Sequence, residues 1–336
     1  MDVYENTVIY ILTPEKVATG GPNCLHQLCY KLRRYNFKAF IYYYPFDMEG
    51  PQTHPNYVKY GNPVIDYIVD APENIVICPE TATARIAALK NTRKAIWWLS
   101  VYYYYASVFL YLKKRSNLPV FNINSPEDVF HFTDCFYAKK NLEFFDIPNN
   151  KISMLESYVN RVFIDGALSN RRFPKKNYVT FNPKKGLEFT NKVLKYCMEN
   201  GYEDIAFVSL ENMTPEKLSD VYKMSKLHID FGPFPGREYI PREAAVNDMC
   251  VITGRFGASK YYEDVPIPDE YKIDATEENL PRIAEKIRYC LNNYETCLPD
   301  FKAYKDFAFG LERKFEEDIK SIFKKTYTGG PQKYGR

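Results

Sequence analysis

The sequence has 336 residues, a formal net charge of +3, 46% apolar and 26% charged residues, and 30 Tyr and 23 Phe against 2 Trp. At about 100–200 residues per domain, that length implies two domains with separate cores, and the composition excludes wholesale disorder. Near-neutral charge excludes a dedicated nucleic-acid binder, whose domain is strongly basic, and no apolar run reaches the ~18 residues of a membrane span.

From the N-terminus, MDVYENTVIYIL passes from acidic and polar residues straight into an apolar run, without the basic, apolar, small-residue order of a signal peptide. Short apolar runs then alternate with amphipathic stretches, the pattern of a parallel sheet wrapped by helices. Strands are expected at Val8–Leu12, Ala39–Tyr44, Ile75–Cys78, Lys94–Leu99, Val120–Ile123 and Val129–Thr133. Leu25, Leu28, Cys29 and Leu32 at helical spacing predict a helix over Cys24–Tyr35. Thr81–Lys90, capped by Thr81 or Thr83, and Ala138–Phe145 predict two more. Ser157–Asn177 is polar, basic and broken by Pro and Gly, which reads as a linker.

A second alternating series follows, with strands at Tyr178–Asn182, Ile205–Leu210, Leu227–Phe231 and Cys250–Thr253. Helices are expected at Leu187–Asn200, Thr214–Met224 and Arg242–Val246, the second opened by Thr214 and Pro215. From Glu277 to Lys325 a helical stretch in two or three pieces carries Leu280, Ile283, Ile287 and Leu291 on one face. The eight cysteines form no C-x-x-C pair and mostly sit in apolar runs, which reads as reduced thiols of a cytoplasmic protein. Two consecutive doubly wound α/β halves and a helical tail follow from this pattern. Ligand sites in such sheets lie at the carboxyl ends of strands, and the crevice between two halves is the default pocket.

Four segments carry candidate chemistry. Thr19, Gly20, Gly21, Pro22 and Asn23 follow the first strand and open a helix, where backbone amides favour a phosphate. A ligand-free turn accounts for the same residues, and the run is neither G-x-G-x-x-G nor a Walker loop. Asn182, Pro183, Lys184, Lys185 and Gly186 end a strand with two lysines, able to neutralise a diphosphate although unfavourable to the following helix dipole. The loop from Phe231 to Ala245 (FGPFPGREYIPREAA) carries Arg237 and Glu238 and places Glu243 in the first turn of the expected helix. A carboxylate there accepts both hydroxyls of a ribose while free amides bind phosphate, though dipole compensation also explains it. Lastly, Trp97, Trp98 and Tyr102–Tyr105 cluster after a strand, where aromatic faces stack on sugar rings and hydroxyls add polar contacts; core packing is the competing explanation.

PREAA at 241–245, followed by CVIT at 250–253, resembles the donor-site motif of the GT-B glycosyltransferases, in which a Glu on an Ala-rich helix precedes a Val-Ile strand. The resemblance runs through nearly the whole chain. It implies two Rossmann-like α/β domains facing across a cleft, residues 1–160 for the acceptor and 161–300 for the nucleotide-sugar donor, with a tail over 301–336 packing back on the first. It maps the ribose ligand onto Glu243, the diphosphate lysine onto Lys185, beside Lys184, and the phosphate-facing Gly-Gly loop onto Gly20 and Gly21. In the retaining members a His at a comparable strand end contacts the transferred sugar, which maps onto His131 as a candidate catalytic residue, a base or hydrogen-bond donor, with a structural histidine as the competing explanation. The family's first Glu falls near Pro235 or Gly236, so Glu238 is the nearest substitute as a catalytic residue, with Arg237 beside it as a donor ligand for the diphosphate. Asn182 and Lys184 replace the usual Arg, and Asp248 and Cys250 replace the usual Gly and Pro, which places the chain near divergent bacterial surface-polysaccharide transferases.

The resemblance therefore implies transfer of a sugar from a nucleotide-diphosphate sugar to a carbohydrate or lipid-linked saccharide, with the acceptor met by Trp98, Tyr102, Tyr103 and Tyr104. Without an Asp-x-Asp motif, amides and lysine hold the diphosphate and no metal is obligatory. Basic runs at Lys31–Arg34 and Lys113–Arg115 suit peripheral contact with an anionic inner membrane face, and solvated helix faces explain them equally. Two other readings stay open: a non-catalytic nucleotide- or carbohydrate-binding protein of the same fold, and a nucleotide-sugar epimerase.

Overall fold

A computed structural model of the chain describes residues 1–44, 52–114, 123, 128–170 and 173–326. The chain divides into two units, Met1–Ser157 with Arg313–Arg336, and Tyr158–Glu312. Against expected boundaries at 160 and 300, the return to the first unit falls at residue 313, inside a continuous helix where no change of composition marks it.

In the first unit, β1 (Asp2–Val3) precedes β2 (Val8–Pro14), α1 (Gly20–Arg34), β3 (Lys38–Tyr44), α2 (Pro55–Val58) and β4 (Ile75–Pro79). They are followed by β5 (Arg93–Trp98), α3 (Val101–Lys114), β6 (Val129–Thr133), α4 (Phe136–Phe144) and β7 (Ile152–Met154). Six of these strands form one parallel sheet in the order β3-β2-β4-β5-β6-β7. Its central strand β4 (IVICP) is apolar and buried throughout, as expected where helices cover both faces of such a sheet. Leu25, Leu28, Cys29 and Leu32, spaced along one face of α1, are all buried.

The expected helix at Thr81–Lys90 is instead a short 3-10 stretch, Glu80–Arg85, kinked at Ala82. The Glu80 carboxylate holds the Leu99 amide at 3.0 Å, tying this segment to the end of β5. Most of the strand expected at Val120–Ile123 lies outside the described residues.

The second unit begins with α5 (Arg161–Leu168), inside the segment expected to be a linker. Phe163 is buried against Tyr222, with ring centroids 5.8 Å apart, so this short helix is part of the unit's core. Then follow β8 (Lys176–Phe181), α6 (Leu187–Glu199), β9 (Ala206–Ser209), α7 (Pro215–Met224), β10 (Ser225–Asp230), α8 (Tyr239–Val246), β11 (Cys250–Thr253), α9 (Leu280–Asn292) and α10 (Tyr294–Cys297). The four strands pair in parallel in the order β11-β10-β8-β9. Thr214 caps α7, its hydroxyl accepting the Lys217 amide at 3.3 Å.

The final helix, α11 (Lys302–Ile322), runs on from the second unit, and its last turns pack on the first. There Phe315, fully buried, stacks on Trp97 at 6.1 Å, and Lys31 of α1 pairs with Glu316 at 2.5 Å. β12 (Lys324–Lys325) then pairs in parallel with β1, joining the described chain ends. All eight cysteines are buried, and none is in a disulfide. Phe315→Ala should lower unfolding free energy by about 3–5 kcal/mol, measured by urea denaturation; a change under about 1 kcal/mol would show that this packing contributes little.

Candidate functional site

In an open parallel sheet the crevice for a ligand opens where successive crossovers leave in opposite directions. The strand orders place one such point in each unit: between β2 and β4 in the first, and between β8 and β10 in the second. The Gly20–Gly21 turn follows β2, the Lys184–Lys185 turn follows β8, and the Arg237–Glu238 loop follows β10.

In the second unit these loops touch. Gly186 sits at φ 65° as the N-cap of α6, and a Cβ there would stand 2.5 Å from the Gly232 backbone. Asp230 at the end of β10 accepts the Gly232 amide at 2.9 Å, which folds the second loop over the first. Lys185 Nζ thereby reaches Glu238 Oε2 at 2.5 Å, with both side chains partly exposed. Glu238 is the N-cap residue of α8, yet its side chain makes no capping hydrogen bond and serves the lysine instead. Burial, then the Glu238 charge, pushes the Asp230 carboxyl up to about 7. Lys184 is exposed beside this pair, its amide held by Asn182 Oδ1 at 3.0 Å.

Arg237 departs from its expected role as a donor ligand. Its guanidinium is buried, paired with Asp264 at 2.8 Å and lying over the Phe307 ring at 4.9 Å. Arg242, completely buried, donates to the carbonyls of Glu238 and Arg237 at 2.9 and 3.0 Å and so fixes the loop from beneath. Neither Asp264 nor the inward turn of the two arginines is signalled in the sequence, because an Arg in a polar loop looks the same facing in or out.

Glu243 lies in the second turn of α8, since the helix starts at Tyr239 and accommodates Pro241 in its first turn. Its carboxylate is buried and accepts the Tyr222 hydroxyl at 3.1 Å through Oε2. Burial pushes it up to about 7, against the Tyr222 bond and the Arg242 charge.

No protein-family model matches the chain, and no match is found among curated proteins. Among solved structures, HepE from Anabaena in complex with UDP superposes with a TM-score of 0.59 at 9% identity, over 94% of this chain and 100% of that one. A glycosyltransferase from Rickettsia africae gives 0.62 at 15%, over 94% and 98%, and WaaG, a glycosyltransferase involved in lipopolysaccharide biosynthesis, 0.58 at 10%, over 96% and 100%. This chain has the GT-B fold. At these identities the likeness extends to the fold alone.

In the first unit of this GT-B chain, Gly20 and Gly21 form the first turn of α1 as expected, with Thr19 as an N-cap whose side chain makes no capping hydrogen bond and no acidic residue in the first turn. His131 is the central residue of β6 rather than its end, paired with Ile96 and Ile152. It is buried and accepts the Trp98 Nε1–H at Nδ1, 3.0 Å away, and burial brings its value down to about 4. The carboxyl end of β6 is occupied by Asp134, whose carboxylate accepts the Ser157 amide at 2.6 Å.

The aromatic run divides. Trp98 and Tyr104 are buried and pack edge to face at 4.8 Å, which withdraws both from the expected acceptor surface. Tyr102 and Tyr103 stand on the outer face of α3, 56% and 49% exposed. The helical period makes the division, and four consecutive tyrosines carry no polarity contrast that would reveal it in the sequence. Of the basic runs, Lys31 is buried against Glu316, and Arg115, with the side chains of Lys113 and Lys114, lies outside what is described. No described helix is long and apolar enough to cross a membrane.

Burial raises Glu80 to about 8 and Asp230 and Glu243 to about 7, all above their unfolded values. Their stabilising share is complete below the ordinary carboxyl range and is lost as pH rises through 7 and 8. His26 and His131, lowered to about 4, and His228, lowered to about 3, act in the opposite sense only below about 6.5. The melting temperature should therefore fall from pH 6.5 to 8, and Glu80→Gln should flatten that fall; an unchanged slope in the variant would refute the assignment.

Proposed function

We propose that this chain is a glycosyltransferase that moves a sugar from a nucleotide-diphosphate sugar to a carbohydrate or lipid-linked saccharide. The observation that carries the reading is the Lys185–Glu238 pair, partly exposed at the crevice between β8 and β10. A diphosphate entering there takes the Lys185 ammonium, with Lys184 exposed alongside, and releases Glu238 toward the hydroxyls of the sugar. The N-terminus of α6 adds backbone donors, and charge developing on the departing diphosphate is met by groups already in place. Glu243, with Oε2 held by Tyr222, is the proposed ribose acceptor through Oε1.

Structures of HepE with UDP and with UDP-glucose support a uridine nucleotide as the first donor to try. In the first unit the reading assigns phosphate contact to Gly20 and Gly21 and acceptor stacking to Tyr102 and Tyr103. It gives His131, buried and bonded to Trp98, no direct contact with the sugar. A role in polysaccharide synthesis, with the protein cytoplasmic and peripheral to the inner membrane face, belongs to the same proposal.

Calorimetric titration with UDP tests the donor site. Lys185→Ala should weaken binding about 10- to 100-fold without lowering the melting temperature of the free protein. Failure of the wild-type protein to bind any nucleoside diphosphate would remove the reading. The inward turn of Arg237, which takes one cation away from the crevice, favours a second reading in which nucleotide binds without transfer. Release of UDP from UDP-glucose in the presence of a saccharide panel separates the two.

Tyr102→Ala and Tyr103→Ala should raise the acceptor KM about 5- to 10-fold with the donor KM unchanged, read in the same release assay. Equal effects on both substrates would place these rings elsewhere.

A further inference from the structure

The crevice between β2 and β4 holds a polar cluster that neither the resemblance nor the donor reading uses. Glu15 follows Pro14 at the carboxyl end of β2, and its amide continues the ladder to the Tyr44 carbonyl at 3.0 Å. Its side chain is fully buried, and among the described residues neither carboxylate oxygen has a hydrogen-bond partner. Thr13, two residues back and so on the same strand face, is also fully buried with an unpartnered Oγ1. Three oxygens able to accept hydrogen bonds therefore lie on one strand face, out of water and without a partner among the described residues.

The surroundings show where the neighbouring described groups are engaged instead. The Lys16 ammonium stands 3.9 Å from Glu15 Oε1, close enough to balance charge and too far for a hydrogen bond. Tyr43, whose phenol is raised in part by the Glu15 charge, donates its hydroxyl to Thr53 at 2.9 Å and lies 3.3 Å from His26 Nε2. Continuing the β2–β4 register from Ile11 opposite Ile77 sets Thr13 level with Pro79, beside Glu80. The Glu80 carboxyl is itself engaged by the Leu99 amide. A buried carboxylate without partners is costly to a fold, and such costs persist where a ligand later makes the missing bonds.

We propose that Thr13 and Glu15 form a subsite for the hydroxyl groups of a neutral sugar, accepting their protons as hydrogen bonds at the β2–β4 crevice. The ligand needs several donors to meet three acceptors. Lys16 offsets the Glu15 charge, which selects a neutral polyol over a cation. The inference rests on the glycosyltransferase reading for its biological ligand, an acceptor saccharide, and Glu15 is on this account a binding residue that positions that acceptor.

The test uses methyl β-D-glucopyranoside, a neutral glycoside, and the full-length protein, with saturation-transfer NMR and amide shifts as readouts. The wild-type protein should bind it with shifts centred on residues 13–16 and 79–81. Glu15→Gln should weaken that binding about 10- to 100-fold and Thr13→Val about 2- to 10-fold. Because the carboxylate makes no internal bond, Glu15→Gln should also raise the melting temperature, whereas a Glu15 that merely holds the fold together would lower it.

A glycoside that does not bind, or that binds both variants as it binds the wild type, overturns the proposal. Titration of the wild-type protein with UDP is run separately. If UDP fails to bind while the glycoside still depends on Glu15, the donor reading falls and the subsite stands. If UDP binds and glycoside binding does not depend on Glu15, the subsite falls and the donor reading stands.

Discussion

Parallel pairing of β8 with β10, two strands that are neighbours in the sheet but separated in the chain by β9, is the constraint from which the second unit's charged crevice follows. The crossover through α6 to β9 departs one way and the one through α8 to β11 the other, so no helix covers the gap between their carboxyl ends. Loops from both strands enter that gap. They approach closely only because Gly186 and Gly232 lack side chains at the point of contact. The Lys185–Glu238 pair is a consequence of that approach, and residues far apart in sequence become one site.

Beneath the exposed pair lies a second tier of charge kept out of water. Arg237 with Asp264, and Arg242 with two loop carbonyls, satisfy one another and hold the loop in the shape that presents Glu238. Burying charge costs several kcal/mol per ion unless geometry and hydrogen bonds repay it, and here most of the buried charges are matched by specific partners. Asp230, Glu243 and Glu80 instead respond by holding their protons to higher pH, for the same dielectric reason. Glu15 differs in that neither of its buried carboxylate oxygens is hydrogen-bonded among the described residues, and this is what marks the first unit's crevice.

The first unit is closed by the end of its own chain. Phe315 stacks on Trp97, Glu316 pairs with Lys31 of α1, and β12 pairs with β1. The basic run in α1 thus loses its first member to internal pairing. A charge pattern that reads as a surface for anions in one dimension becomes partly a structural contact in three.

Much of the architecture was legible in the sequence because it is written in local periodicity: β11 at Cys250–Thr253, β6 at Val129–Thr133, the Thr214 cap and the buried face of α1 follow from alternation, helical spacing and capping chemistry alone. Gly20, Gly21, Lys185 and Glu238 could be nominated because turn residues after strands point to strand ends. Their partners could not be named, since register and crossover direction are properties of the assembled sheet. The inward turn of Arg237, the burial of Trp98 and Tyr104, the central place of His131 in its strand and the start of α8 at Tyr239 were likewise decided by tertiary packing. Local sequence sets which backbone shape is cheap; which side of that backbone is dry, and therefore which charges must find partners, is set only when the elements close on one another.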